Sequence, residues 1–201
     1  MISMRIPFTA ATIALAGLAA PIALATPASA AAINNQDPQA FISGLSQEGF
    51  GALRGGNRAA AKVKFRDLLS QHFAIDQIGD RLIRRWKPTL KPDQLAAYQA
   101  ALPNYVIGIY ADRLFEYADA DLKVIRSQPA ANGAAVVTQV VKKGQQPITA
   151  IWSVTKTPAG YKVSNLTVAG INLALTQAAD FDAYIQRNGF DKLVAFMKSK
   201  G

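Results

Sequence analysis

The hydrophobic pattern changes period twice along the chain. From Pro38 to about Tyr117 apolar residues recur at spacings of three and four, the stripe of amphipathic helices. Phe41, Leu45 and Phe50 mark a first helix, weakened by Gly44, Gly49 and Gly51. Arg54-Gly55-Gly56-Asn57 breaks it, and Asn57 is placed to cap a second helix with Phe65, Leu68, Leu69, His72 and Phe73 on one side. Asp76 is placed to cap a third, whose apolar side is Ile78, Leu82, Ile83 and Trp86. Lys87-Pro88 ends that helix. Pro92 then sits at a first helical position, with Asp93 in the turn where the macrodipole favours a carboxylate. Leu95, Tyr98, Leu102, Tyr105 and Ile109 continue the longest helix to about Tyr117, and Pro103 inside it predicts a kink over residues 99–103.

From Asp121 the period becomes two. Residues 122–126 and 134–143 read as strands, with Asn132-Gly133 as a hairpin signal between them. Lys143-Gly144-Gln145 turns into a third strand, on which Ile148, Ala150, Trp152 and Val154 share one face. Pro158-Ala159-Gly160 turns into a fourth, residues 161–168. Tight turns throughout imply an antiparallel meander. After Gly170 the helical period returns with Leu173, Leu175, Phe181, Tyr184 and Ile185. It stops at Arg187-Asn188-Gly189 and resumes in a short last helix with Phe190, Leu193, Val194 and Met197. The fold class is therefore α+β: helices packed on a curved four-stranded antiparallel sheet. Only Ala169-Gly170 separates the last strand from the next helix, so the two must meet at a fixed angle. A twisted sheet backed by helices on its concave side makes a cone, either filled by side chains or hollow.

The first thirty residues stand apart from this pattern. Arg5 is their only charge, an apolar run spans Ile6 to Leu24, and Ala28-Ser29-Ala30 is a small-residue cleavage site. This reads as a secretory signal peptide; the run is nearly long enough for a membrane anchor, but Pro21, Pro27 and the small residues favour cleavage. The expected mature chain, residues 31–201, is one domain. The whole chain has 22 Lys+Arg against 13 Asp+Glu, and without Arg5 the net charge is +8. Export makes nucleic acid a poor partner for that charge, and favours anionic membrane surfaces or acidic proteins. Cysteine is absent and His72 is the single histidine, which excludes the usual zinc sites and any dependence on disulfides. No metal, cofactor or catalytic residue is expected, because no nucleophile elbow, zinc-protease motif or phosphate loop is present.

The candidate residues are accordingly apolar. Ile148, Ala150, Trp152 and Val154 are the clearest inward strand face, with Val136 and Val140 on the neighbouring strand. Tyr105, Val106, Ile109 and Tyr110 lie on the facing helix, and Leu166, Val168 and Leu173 at the corner. All of them fit either a hollow cone or a filled core. Tyrosines at the mouth of a cavity could bond a polar head group. Arg81, Arg84, Arg85 and Lys87 surround Trp86 and form a basic cluster suited to docking an acidic partner or anionic lipid, or simply a solvated helix face. Lys62, Lys64 and Arg66 form another. His72 reads as a packed side chain. Asp76 and Asp80, at i and i+4, read as a cap and an arginine partner rather than a catalytic pair.

The order and spacing of several segments resemble the toluene-tolerance family, the periplasmic lipid-binding components of Mla-type transport systems. The segments are Lys91-Pro-Asp-Gln-Leu95, "YADRLFEY" from Tyr110 to Tyr117, Gly170-Ile171-Asn172-Leu173, Phe181, and Arg187-Asn188-Gly189-Phe190-Asp191-Lys192-Leu193. Together they cover roughly residues 38–199. The resemblance implies an NTF2-like cone with a lipid-sized apolar pocket. It implies a carrier that shuttles phospholipid between an outer-membrane lipoprotein–porin complex and an inner-membrane ABC transporter with an MCE-domain subunit. Ala169, Asn172, Gln177 and Ala178 depart from residues common in the family, and they flank the corner. Those departures leave two cargo classes open, phospholipid and the sterol-like hopanoids associated with some relatives. Two other classes also stand: an enzyme of the same cone-shaped fold, and a filled-core adaptor. No acidic residue projects from the expected inward strand face, which weighs against the enzyme.

Overall fold

In a computed structural model of the chain the described residues are 33–201, so the expected signal peptide lies outside them. Helices α1 (Pro38–Arg54), α2 (Arg58–His72), α3 (Ile75–Leu82) and α4 (Pro92–Leu114) precede the sheet. Strands β1 (Asp121–Ala130), β2 (Gly133–Val141), β3 (Ile148–Thr157), β4 (Gly160–Val168) and β5 (Ile171–Asn172) follow, then helices α5 (Leu173–Asn188) and α6 (Phe190–Lys200). The sheet runs in sequence order with every neighbouring pair antiparallel, the meander that the turn signals predict.

Local chemistry accounts for most boundaries. The Asp37 carboxylate accepts from the Ala40 amide at 2.7 Å, the Asn57 side chain from Ala60 at 3.0 Å and the Asn172 side chain from Leu175 at 3.0 Å. Each satisfies one orphan amide at a helix start. The three glycines of α1 do not break it, because its Phe41, Ile42 and Leu45 are buried against the sheet and that packing outweighs propensity. Helix α4 continues through Pro103 as one element.

Four expectations need correction. Asp76 does not cap α3; Ala74 precedes the helix without a side-chain cap, and Asp76 lies within the first turn. That helix ends at Leu82 instead of reaching Trp86, because the chain tightens there into a turn and a 3₁₀ segment at Lys87–Thr89. The β1–β2 link is Ala131-Asn132, and Gly133 already pairs with Ala130 and with Thr155 of β3. Glycine is needed there because a Cβ would collide with the Val154 carbonyl.

The fourth correction concerns the corner, which contains a fifth strand. Val168 pairs with Ile171 and Thr167 with Asn172, so Ala169-Gly170 is a two-residue hairpin turn rather than a direct strand-to-helix joint. Both turn residues have positive φ, 49° at Ala169 and 82° at Gly170, as in the type I′ turn whose twist matches the strands. Ala169 is the one non-glycine residue with positive φ among the described residues. Alanine is poorly suited to that conformation, whereas asparagine tolerates it. Ala169→Asn is expected to raise stability by about 0.5–1 kcal/mol, read as a higher urea midpoint at unchanged slope.

The core falls into separate bodies. Helices α1 and α2 cover one end of the sheet, with Phe41, Ile42, Leu45 and Leu68 against Ala134, Val136, Val154 and Val163. Helices α3 to α6 form their own core around Tyr98, Leu102, Phe181, Leu193 and Met197. A small cluster of Leu69, Ile107 and Ala111 joins α2 to α4. Helix α4 packs on α2, α3 and α6 and makes at most marginal contact with the strands.

Candidate functional site

That arrangement leaves one half of the inward sheet face only partly covered. The pairing register sets Ala134, Val154 and Val163 in one row across the sheet, and Val136, Trp152 and Leu166 in the next. Thr138, Ala150 and Val168 form a third row, and Val140 and Ile148 a fourth. The first rows sit under α1: Val136 and Val154 are core residues rather than free lining, because Phe41 and Ile42 fill the space over them. Ala150 is also buried, while Trp152 is half-buried against the same core. Its indole donates to the Thr138 hydroxyl at 3.1 Å, which in turn donates to the Ala150 carbonyl at 3.2 Å. Val140, Ile148, Leu166 and Val168 differ: each is half-buried, and none belongs to a packed cluster among the described residues. Leu173, just past the hairpin, shares that state.

Helix α4 presents two packed faces with a stripe between them. Tyr98, Leu102 and Tyr105 belong to the α3–α6 core, and Ile107 and Ala111 to the α2 cluster. At 100° per residue, Val106 and Tyr110 fall between these faces. Val106 touches both clusters and Tyr110 neither.

A cleft of roughly 440 Å³ opens between α4, α5 and α6, inside the range of about 300–1,000 Å³ typical of small-molecule sites. Tyr105, Ile109, Tyr110 and Arg113 line it from α4, Gln177, Asp180, Phe181, Tyr184 and Arg187 from α5, and Leu193 and Phe196 from α6. Three of the expected lining residues, Tyr105, Ile109 and Tyr110, are therefore together here, and the sheet residues are not among its walls. Gln177 donates to the Tyr105 hydroxyl at 3.3 Å. Burial pushes the Tyr105 phenol up, opposed by that bond. Burial also raises Tyr110, with Arg113 opposing and Asp180 adding to the effect. Both phenols stay protonated near neutral pH and remain donors. Arg113, Asp180 and Arg187 escaped the sequence reading; the helical spacing from Tyr110 and Gln177 was the signal that could have found them.

The basic cluster is mostly engaged within the protein. Arg85 forms a two-contact pair with Asp182 at 2.9 and 3.2 Å, and the Trp86 indole donates to the same carboxylate at 2.8 Å. Lys87 pairs with Asp80, and Arg81 reaches the Ser164 carbonyl at 3.4 Å. Arg84 alone of the four has no such partner among the described residues. With Asp80, Arg81, Lys87 and Pro88 it borders a shallow groove. Asp182 thus ties the turn after α3 to α5. Asp182→Ala is expected to cost about 1–2 kcal/mol by leaving the half-buried indole N–H and the guanidinium without their acceptor, measured by urea denaturation. The second cluster is likewise paired, Lys62 with Asp112 and Lys64 with Glu48, while Arg66 bonds Asn104.

His72 is half-buried against Phe41, with ring centroids 5.9 Å apart. Burial holds its pKa below the ordinary histidine value, assisted by Lys162 and Lys64. Glu48 opposes that shift, and no carboxylate or hydroxyl among the described residues is hydrogen-bonded to the ring. No group of three or more metal-ligating side chains occurs among the described residues, and no helix among them is long and apolar enough to cross a membrane.

Comparison with known proteins follows this geometry. The fold matches that of a phospholipid-binding protein from Ralstonia solanacearum, solved in complex with a phospholipid, at a TM-score of 0.68. The match covers 82% of this chain and 96% of that one at 23% sequence identity. No curated protein sequence matches the chain significantly. The profile of the MlaC protein family matches residues 49–199. The chain therefore belongs to the MlaC family.

Proposed function

We propose that the chain is a periplasmic lipid carrier that holds acyl chains against the partly covered half of its sheet. The observation that carries this reading is the set Val140, Ile148, Leu166, Val168 and Leu173, half-buried yet outside every packed cluster, beside a helix that does not pack on the strands. Val106 supplies the facing wall, and Trp152 and Ala150 the floor toward α1, while Ile109 and Tyr110 lie on the cleft side of the same helix. The match to a phospholipid-bound fold supports the same use of the space.

The energetics suit a carrier. Each methylene removed from water is worth about 0.8 kcal/mol, so two chains with roughly thirty methylenes between them would cost on the order of 20 kcal/mol to expose. A membrane shelters them equally well. The protein need only compete with it, and no covalent step or reactive group is required.

Residues 1–30 would direct export and then be removed. The cargo would pass between an outer-membrane lipoprotein–porin complex and an inner-membrane ABC transporter with an MCE-domain subunit. Arg81, Arg84, Arg85 and Lys87 are the proposed docking surface. Arg84 is the best placed for it, since its neighbours are already engaged inside the protein.

The test is uptake from vesicles containing a fluorescent phospholipid, followed by separation of protein from vesicles. Stoichiometric label travelling with the protein is expected. Label that stays wholly with the vesicles would exclude the carrier reading.

A further inference from the structure

The α4–α5–α6 cleft holds opposite charges that do not neutralise each other. Arg113 on α4, and Asp180 and Arg187 on α5, line it. None of the three is ion-paired with any described residue. Arg113 and Asp180 both act on the Tyr110 phenol, in opposing senses. The same cleft is lined by Tyr105, whose hydroxyl accepts from Gln177, and by the apolar Ile109, Phe181 and Leu193. A cleft with two unpaired guanidiniums, an unpaired carboxylate and two neutral phenol donors is complementary to a ligand carrying both charges.

We propose that this cleft receives a zwitterionic lipid head group, a phosphodiester joined to a primary ammonium. The guanidiniums and phenols donate to the phosphate oxygens, and the Asp180 carboxylate accepts from the ammonium. A phosphoglycerol head group offers Asp180 only neutral hydroxyls in place of a cation. A sterol-like lipid with a hydroxyl head leaves both charges without a counterpart. The inference rests on the lipid-carrier reading and names its cargo class.

The experiment offers the full-length protein, and its Asp180→Asn and Arg113→Gln variants, vesicles of equal phosphatidylethanolamine and phosphatidylglycerol doped with a hopanoid. Captured lipid is extracted and quantified by mass spectrometry, and circular dichroism checks that each variant is folded. The unaltered protein is expected to enrich phosphatidylethanolamine about threefold, the scale of one exposed charge contact. Asp180→Asn should bring that ratio close to one, and Arg113→Gln should lower capture of both phospholipids. Equal capture by the unaltered protein, a ratio unmoved by Asp180→Asn, or preference for the hopanoid would each overturn the proposal while leaving the carrier reading intact. Capture of no lipid at all would remove the carrier reading itself.

Discussion

Gly108→Val is expected to destabilise the protein by about 2–4 kcal/mol. Helix propensity alone points the other way, since a mid-helix glycine costs about 1 kcal/mol relative to alanine. The contact decides the sign. A Cβ on Gly108 would occupy the position of the Lys200 carbonyl, so α4 and the end of α6 meet backbone to backbone at this residue. Relief requires either a shift of α4, which α2 and α3 also hold, or unwinding of the last turn of α6. Met197, fully buried in the same core, would be drawn with it. Chemical denaturation measures the loss. Removing Lys200 and Gly201 from the variant should return most of it, because the obstructing carbonyl is then gone. No recovery would mean that the damage lies elsewhere in α4.

The second large effect is on cargo. Val168→Asp is expected to reduce captured lipid at least tenfold while the protein stays folded. Val168 is half-buried, lies outside the packed clusters and pairs across the sheet with Ala150. In the free protein the carboxylate reaches water, so the stability cost is small. With acyl chains over the sheet it would be sealed against hydrocarbon without a partner, a penalty of several kcal/mol. Val136→Asp should behave in the opposite way. Val136 is fully buried under Phe41 and Ile42, so its replacement attacks the fold itself. The pair of variants separates lining from core: lipid loss without unfolding at residue 168, and unfolding at residue 136. Equal behaviour at the two positions would contradict the division of the sheet face drawn here.

The same division shows what the sequence could and could not reveal. Period-two alternation correctly grouped Val136, Val140, Ile148, Ala150, Trp152 and Val154 on one face, because strand geometry is local. It had no means of telling that α1 would cover Val136 and Val154 and leave Val140 and Ile148 half-buried. That depends on where a helix some hundred residues earlier in the chain comes to rest, and lining and core share one composition. The corner was misread for a related reason. Two residues of strand leave almost no periodic signal, and Ala169 is not a residue that advertises positive φ. The basic cluster around Trp86 was visible as charge, but its neutralisation by Asp182 spans nearly a hundred residues and required the fold. Helix starts at Asn57 and Pro92 were legible because caps and prolines act within a single turn.

The central claim is that the partly covered half of the sheet holds acyl chains. Native mass spectrometry of the protein isolated from a bacterial periplasm, followed by organic extraction, tests it most directly. A mass increment that extraction identifies as a diacyl phospholipid, and that disappears in Val168→Asp, is the predicted result. A clean polypeptide mass that persists after incubation with vesicles would contradict the account and leave the partly covered face of the sheet without a ligand.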